Sequence, residues 1–443
     1  MSETAFSVYN SFIMKKHRLL ISLLSLLLVS CSKGQASSSQ ETYIHQDKEN
    51  FTMVVASDLH YLSPRLTDKG KAFTDFISEA DGKVMMYSEE VMNAFIQEVI
   101  SLHPSYLLLT GDLTYNGEKK SHEDLIKKLQ TVEAGGTEVL VLPGNHDFDA
   151  YQALKFEGDK MIEDENTLPE EFSAMYAPYG YSQAIDKDPS SFSYLYSLKD
   201  KTDLLVLDTN STTHGALSKE TVNWLNNALE KEKENGHQII SATHQPLLTH
   251  NPLFTYGNVI ENNKDILKAY KDNGKVLLNL GGHLHIQSIK EEGDFREILS
   301  SSLMVPHTEF GFITMDSSTF SYEARELDVS YYYTSLGSED RNLLNFHKYA
   351  DDFFISGGKR GLDDEIERLN ITDEKEKEEF RSSFGKMNLA YFAGDSLAKE
   401  DYIPFITRYY ADDELNFFPR YLNSLARHFN EEKDMKHLAL NLK

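Results

Sequence analysis

From Phe51 onward the chain alternates short apolar runs with longer stretches in which apolar residues recur every three or four positions. Residues 51–57, 105–110 and 138–142 are apolar runs of strand length, the pattern of strands buried on both faces. Between the first two, Met92, Phe95, Ile96, Val99 and Ile100 mark one face of a helix that His103-Pro104 ends. A second helix is predicted over 121–132, with Ser121 as N-cap and Asp124 three residues on. Residues 149–190 are acidic and irregular, punctuated by Pro169 and Pro178, and read as a long excursion with short helices. Strands resume at 192–196 and 203–207, and a helix carrying Val222, Leu225 and Leu229 precedes a strand at 237–243. Residues 275–280, 296–305 and 312–325 read as further strands, the last two with hairpin character. Strands alternating with helices, then a meander, predict layered sheets with helices outside.

Around Glu326 the pattern changes to charged, helix-forming stretches such as 373–379, and Phe418, Leu422, Leu425 and Phe429 lie at helical spacing. No strand is expected there. A small helical domain packed on the first is the plain reading, while the aromatic segment Tyr331-Tyr332-Tyr333 admits a lid or a dimerisation module. With 443 residues the chain has room for two domains and a tail. The expected division is 1–31 targeting segment, 32–50 tether, 51–325 first domain and 326–443 helical C-terminal domain.

The targeting segment has a basic start, Met14-Lys15-Lys16-His17-Arg18, then an apolar run from Leu19 to Val29 too short to span a membrane. Leu28-Val29-Ser30-Cys31 resembles the lipobox of bacterial lipoproteins, which implies cleavage before Cys31 and lipidation of its sulfur. Cys31 is the only cysteine, so the mature chain would carry no disulfide. Residues 32–50 are polar, rich in Ser and Gln, and read as a flexible tether. These features predict a cell-membrane lipoprotein on the extracellular face, with a lean towards a Gram-positive surface.

Composition narrows the partners. Apolar residues make up 40% and charged residues 26%, as in ordinary globular proteins. The net charge of −26 argues against a nucleic-acid polymer or an anionic lipid surface, both of which are held by clustered Lys and Arg. A small phosphate ester remains compatible if divalent metals supply the positive charge.

The candidate chemistry sits directly after the apolar runs. Asp58-Leu59-His60, Gly111-Asp112, Gly144-Asn145-His146-Asp147, His244 and Gly282-His283-Leu284-His285 each follow a predicted strand. Strand C-terminal ends are where layered α/β folds project side chains into one crevice. Asp58 and His60, one residue apart, can reach a single cation. Asp112 offers two oxygens that can bridge two ions, Asn145 a neutral carbonyl oxygen, and His283 and His285 can each serve a different ion. Oxygen and nitrogen donors without thiolate suit Mn, Fe or Zn.

In this order the motifs resemble those of the calcineurin-like metallophosphoesterase superfamily: Asp-x-His, Gly-Asp, Gly-Asn-His-Asp/Glu, an isolated His and Gly-His-x-His. The resemblance covers about residues 51–325. It implies an α/β four-layer fold, a β-sandwich of two mixed sheets flanked by helices. It also implies two divalent metal ions. Asp58, His60, His285 and Asp112 would hold one, and Asn145, His244, His283 and Asp112 the other. His146 would donate the proton to the leaving oxygen, and Asp147 would orient the His146 ring or cap the following turn. A hydroxide between the cations would attack phosphorus in line.

Other polar residues near the motifs carry plainer expectations. His122 is expected on the solvated first turn of its helix and His250 on a surface loop, while Tyr61 and His307 are weaker candidates for substrate contact. Asn116 is expected to shape its loop. The segment from Gly111 through Glu123 and the helical C-terminal extension resemble bacterial cyclic nucleotide phosphodiesterase-like members, which implies a small phosphodiester substrate. No Lys or Arg lies inside the five motifs, which favours a diester over a phosphomonoester dianion. A binding protein with a vestigial site is the reading from another class, and the complete donor set counts against it. Oligomeric state is not legible.

Overall fold

The computed structural model describes residues 50–78, 82–148, 153–199, 201–357, 359–410 and 416–442. The targeting segment with Cys31, and the tether up to residue 49, lie outside the described residues. Among the described residues no helix is long and apolar enough to cross a membrane.

The first half builds one side of a sandwich. β1 (Phe51–Ala56) is followed by α1 (Lys71–Ser78), α2 (Ser88–Leu102), β2 (Tyr106–Thr110), α3 (Lys119–Ala134) and β3 (Glu138–Leu142). β1, β2 and β3 pair in parallel. All five residues of β2 are buried, because Val91 and Phe95 of α2 and Leu125 and Leu129 of α3 join the core of these strands. α2 ends where His103 takes a left-handed φ of 45° and Pro104 follows. α3 starts two residues before the expected cap, with Glu118 at its N-cap. A tertiary contact claims the Ser121 hydroxyl instead, which accepts from Ser63 N at 3.1 Å.

Among its described residues the acidic excursion holds one helix rather than several. β4 (Leu154–Glu157) and β5 (Lys160–Glu163) form a hairpin, and α4 (Pro169–Tyr176) and β6 (Asp186–Lys187) follow. Then come β7 (Tyr194–Lys199), β8 (Thr202–Leu207), α5 (Lys219–Asn235), β9 (Gln238–Thr243), α6 (Asn263–Asn273), β10 (Val276–Gly281), β11 (Ser288–Glu292) and β12 (Phe295–Leu299). These strands make a second sheet in the order β11-β12-β10-β9-β8-β7-β6, with β8, β9, β10 and β12 parallel. Its period of two is legible in β8. Leu204 and Val206 face the central core, while Leu205 and Leu207 pack on Trp224 and Leu225 of α5 and Ile266 of α6. The two sheets meet through Tyr194 Oη, which donates to Val141 O at 2.9 Å, and through Tyr106 Oη and Leu198 O.

β13 (Glu309–Met315) returns antiparallel to β1, and β14 (Thr319–Glu326) pairs with β13 as the expected hairpin. Six α-helices follow among the described residues: α7 (Val329–Ser335), α8 (Phe346–Ser356), α9 (Lys359–Arg368), α10 (Glu374–Phe392), α11 (Lys399–Tyr409) and α12 (Phe417–Asn430). Phe380, Phe405, Leu422, Leu425 and Phe429 form their core, which takes in Ile286 of the β10–β11 loop and Leu299 of β12. The architecture is therefore a sandwich of two mixed sheets flanked by helices, with a helical C-terminal region. The expectation of no strand beyond Glu326 is corrected. β15 (His437–Asn441) pairs antiparallel with β14, so the chain leaves the first sheet at Glu326, crosses the helices and comes back to it.

Candidate metal centre

Parallel pairing points the C-terminal ends of β1, β2 and β3 one way and those of β9 and β10 another strand layer across. The residues just beyond these ends converge. One ligand atom from each of Asp58, His60, Asp112 and His285 lies within 4.8 Å of the others, and the same holds for Asp112, His244 and His283. Asp112 is common to both groups. Asn145 joins the second, its Oδ1 lying 3.1 Å from His244 Nε2.

The backbone is bent to deliver them. Asp58, His60, Asp112, His283 and His285 all take positive φ, between 39° and 69°. For residues with a Cβ each such conformation costs about 1–3 kcal/mol, which surrounding structure must over-determine. Here Asp58 N donates to Gly111 O at 3.0 Å, His60 N to Asp112 O at 2.9 Å, and Gly282 N to His244 O at 3.0 Å. His283 N donates to Asp58 Oδ2 at 2.9 Å and ties the two sheets together. His146 N donates to Asp112 Oδ1 at 2.8 Å, and Ser302 Oγ to Asp58 O at 2.6 Å. Glycine at 144 is a matter of space, since a Cβ there would stand 2.2 Å from Asp112 N and Oδ1.

The donors fit cations. His244 Nδ1 lies 2.9 Å from Thr110 O, a pure acceptor, so Nδ1 carries a proton and Nε2 faces the site. Around that Nε2 stand Asn145 Oδ1 at 3.1 Å, Asp112 Oδ2 at 3.3 Å and His283 Nδ1 at 3.3 Å. His60 Nε2 and His285 Nε2 approach to 3.0 Å, and His285 Nε2 is 3.4 Å from Asp58 Oδ1. Asp58 Oδ1 and His283 Nε2 are buried with no hydrogen-bond partner among the described residues. Electron-pair donors crowded at such distances need a positive charge between them.

Titration reflects the same crowding. Burial pushes Asp112 up, but His244, His146 and His60 hold it well below the usual carboxylate range. Burial lowers His244, and Asp112 outweighs it to raise that imidazole to about 9. Burial and the His244 charge depress His283 to about 3.

Several expectations are corrected. The support expected from Asp147 for the His146 ring comes instead from Tyr115 O and Asn116 Oδ1, each 2.9 Å from His146 Nδ1. Asp147 instead pins the loop, accepting from Gly144 N at 2.7 Å and Thr114 N at 3.0 Å. Burial and Asp112 raise Asp147 to about 8. His122 is fully buried rather than solvated, bonded to Tyr176 Oη at 2.8 Å and Asp147 O at 2.7 Å. His250 has a buried side chain, 3.2 Å from the buried Glu297 carboxylate. Tyr61 is buried and donates to Glu89 at 2.5 Å.

One residue that acts on these histidines lies outside every motif. Lys83 is a buried lysine, and after burial itself its charge is the strongest influence holding His60 low, with a further effect on His146. No motif surrounds it, so only the fold brings it within electrostatic reach of those histidines.

A family model described as calcineurin-like phosphoesterase matches residues 51–287, and one described as the C-terminal domain of cyclic nucleotide phosphodiesterase matches residues 328–434. No curated protein matches the chain. Among solved structures, a dimetal phosphatase from Danio rerio is 13% identical, with 62% of this chain and 96% of that one covered and a TM-score of 0.47. GAP50, the anchor in the inner membrane complex of Plasmodium, is 12% identical over 63% of this chain and 85% of its own, with a TM-score of 0.37. PhoD is 12% identical over 63% and 66%, also at 0.37. With the first family model spanning more than half of the chain, this protein belongs to the calcineurin-like phosphoesterases, metal-dependent hydrolases of phosphoric esters.

Proposed function

We propose that this chain hydrolyses small phosphodiesters, with cyclic nucleotides as the leading class, from a lipid anchor at Cys31 on the outer face of the cell membrane. The observation that carries the substrate class is the match of residues 328–434 to the C-terminal domain of cyclic nucleotide phosphodiesterase. The net charge of −26 supports a small substrate over a polyanion. The lipobox-like segment ending at Cys31 supports the anchor.

In this reading Asp58, His60, His285 and Asp112 hold one divalent cation, and Asn145, His244, His283 and Asp112 the second, with Mn, Fe or Zn all suited to such donors. Bound there, the pair would supply Lewis-acid stabilisation of phosphoryl charge and acidify water. The chain's residues do the rest. Thr110 O fixes the His244 tautomer so that Nε2 stays turned to the site. Tyr115 O and Asn116 Oδ1 accept from His146 Nδ1, which leaves His146 Nε2 to hand a proton to the departing ester oxygen. Asp112 Oδ1, bonded to His146 N, keeps that ring beside the site.

A second reading, a phosphomonoesterase, draws on Lys83. A buried cation whose charge reaches His60 and His146 offers what a dianionic monoester needs. The test is turnover of bis(p-nitrophenyl) phosphate and p-nitrophenyl phosphate by the Mn-loaded chain, followed by a cyclic-nucleotide panel. Faster diester release, abolished by Asp112→Ala and by chelator, is expected. A preference for the monoester that Lys83→Ala removes would overturn the diester reading in favour of the second.

A further inference from the structure

A second group of metal-ligand side chains shares no residue with the dinuclear centre. His307, His347 and Asp351 each place one ligand atom within 4.8 Å of the others. His307 lies in the loop between β12 and β13, whereas His347 and Asp351 stand four residues apart on α8 and share a helix face. The two imidazole rings are 4.9 Å apart, centre to centre. His347 Nε2 lies 3.3 Å from Asp351 Oδ2.

One ring is also held from behind. His347 Nδ1 is 2.5 Å from Glu326 Oε1, whereas Asp395 Oδ2 stands 3.7 Å from His307 Nδ1, beyond hydrogen-bond reach, and Asp395 Oδ1 is paired with Lys436 at 2.6 Å. A carboxylate on the far nitrogen is how proteins fix the tautomer and raise the basicity of a metal-bound histidine. Asp351 Oδ1 is buried and has no hydrogen-bond partner among the described residues. His347 is half exposed, which leaves the group open to ions from solution.

We propose that His307, His347 and Asp351 form a third divalent-cation site, of the zinc class, that clamps α8 to the β12–β13 loop. Two imidazoles and one carboxylate are a zinc donor set, with a fourth position open to water. The competing account is a plain charge cluster, in which a protonated His347 bridges Glu326 and Asp351 without an ion. The loop so clamped also carries Ser302, whose hydroxyl holds the Asp58 carbonyl. An ion here therefore ties the helical region to the segment that supports the dinuclear centre.

The full chain, stripped by chelator and reloaded with Zn²⁺ alone, decides between the accounts. After desalting, the wild type is expected to retain about three ions and the His347→Gln/Asp351→Asn chain about two. The Asp112→Asn background isolates the new site: Zn²⁺ should raise its melting temperature, and adding His347→Gln should abolish that rise. His347 is exposed enough for glutamine to be accommodated, so loss of the rise reports on binding. Equal zinc content in wild type and double variant, or an unchanged rise with His347→Gln, would overturn the proposal whatever the enzyme's substrate proves to be.

Discussion

Replacing Gly282 by alanine changes no donor atom, yet it should disable the dinuclear centre. A Cβ at this position would stand 1.7 Å from Ser57 Oγ, 2.6 Å from Ser57 Cβ and 2.3 Å from Asp58 Oδ2. The Ser57 hydroxyl can rotate away, but its Cβ is fixed by the backbone. The Asp58 carboxylate must also retreat by about 1 Å to regain van der Waals distance. That movement stretches the bond from His283 N to Asp58 Oδ2, now 2.9 Å, a bond to a charged group worth about 1.5–3 kcal/mol.

At 1.4 kcal/mol per decade that loss corresponds to about 10- to 150-fold in affinity, and loss of a contact orienting a ligand is generally felt as about 10- to 100-fold. The Mn²⁺ concentration giving half-maximal turnover of bis(p-nitrophenyl) phosphate should therefore rise about 10- to 100-fold. Turnover at saturating Mn²⁺ should fall about 100-fold, the cost typical of a 1 Å misplacement. Overpacking should lower stability by about 1–3 kcal/mol. Gly136→Ala is the control, because its φ is +90° but a Cβ there meets nothing within 4 Å. It should lose about 1 kcal/mol of stability and no activity. A folded Gly282→Ala chain with the wild-type metal requirement and turnover would refute the argument that close approach at this glycine sets Asp58.

Further outcomes follow from two buried groups outside the donor set of the dinuclear centre. His122→Ala leaves Tyr176 Oη and the Asp147 carbonyl without their imidazole, so thermal or denaturant unfolding should show about 2–4 kcal/mol of lost stability. Burial also lowers His122 to about 4, beneath its unfolded value. The wild type should thus lose stability as pH falls from about 6.5 to 4, because the unfolded chain takes up a proton that the folded one refuses, and His122→Ala should remove that slope. Glu309 has the opposite sign. Burial raises it to about 7 against the pull of Lys436, so the folded chain binds the extra proton and stability falls as pH rises from about 4.5 to 7. Melting curves of Glu309→Gln across that window should lack the fall.

The convergence of the candidate donors was legible because its signal is local and repeated. Asp58, Asp112, Asn145, His244 and His283 each follow an apolar run with the length and content of a buried strand, and strand ends are where an α/β sheet presents chemistry. The surrounding supports were not legible, for the opposite reason. His122 stands on the first turn of a helix among Lys119, Lys120 and Glu123, a charged context that reads as solvent. Its burial comes from α4, 54 residues away in sequence. Asn116 and Tyr115 reach His146 across 30 and 31 residues, and Lys83 has no motif at all. Spacing within a motif constrains which atoms can share an ion, whereas contacts across loops depend on register that only the folded sheets set.

β15 shows the same boundary from the side of the fold. His437-Leu438-Ala439-Leu440-Asn441 has only a three-residue apolar run between polar ends, and five such residues after a helix are weak evidence for a strand. What makes it one is the free edge of β14, where Phe320 pairs with Leu440 and Tyr322 with Leu438. An exposed edge invites pairing with another chain, and occupying it from within removes that risk. The helices are consequently tethered at both ends to one sheet, through Glu326 and through His437, while their core packs on Leu299 of the other and on Ile286 in its β10–β11 loop. Ile286 directly follows His285. A region fastened to both sheets, and seated against the residue next to a metal-ligand candidate, is placed to act on the centre rather than to trail behind it. Removing residues 437–441 is therefore expected to lower the melting temperature and turnover together, and wild-type turnover in the shortened chain would refute this.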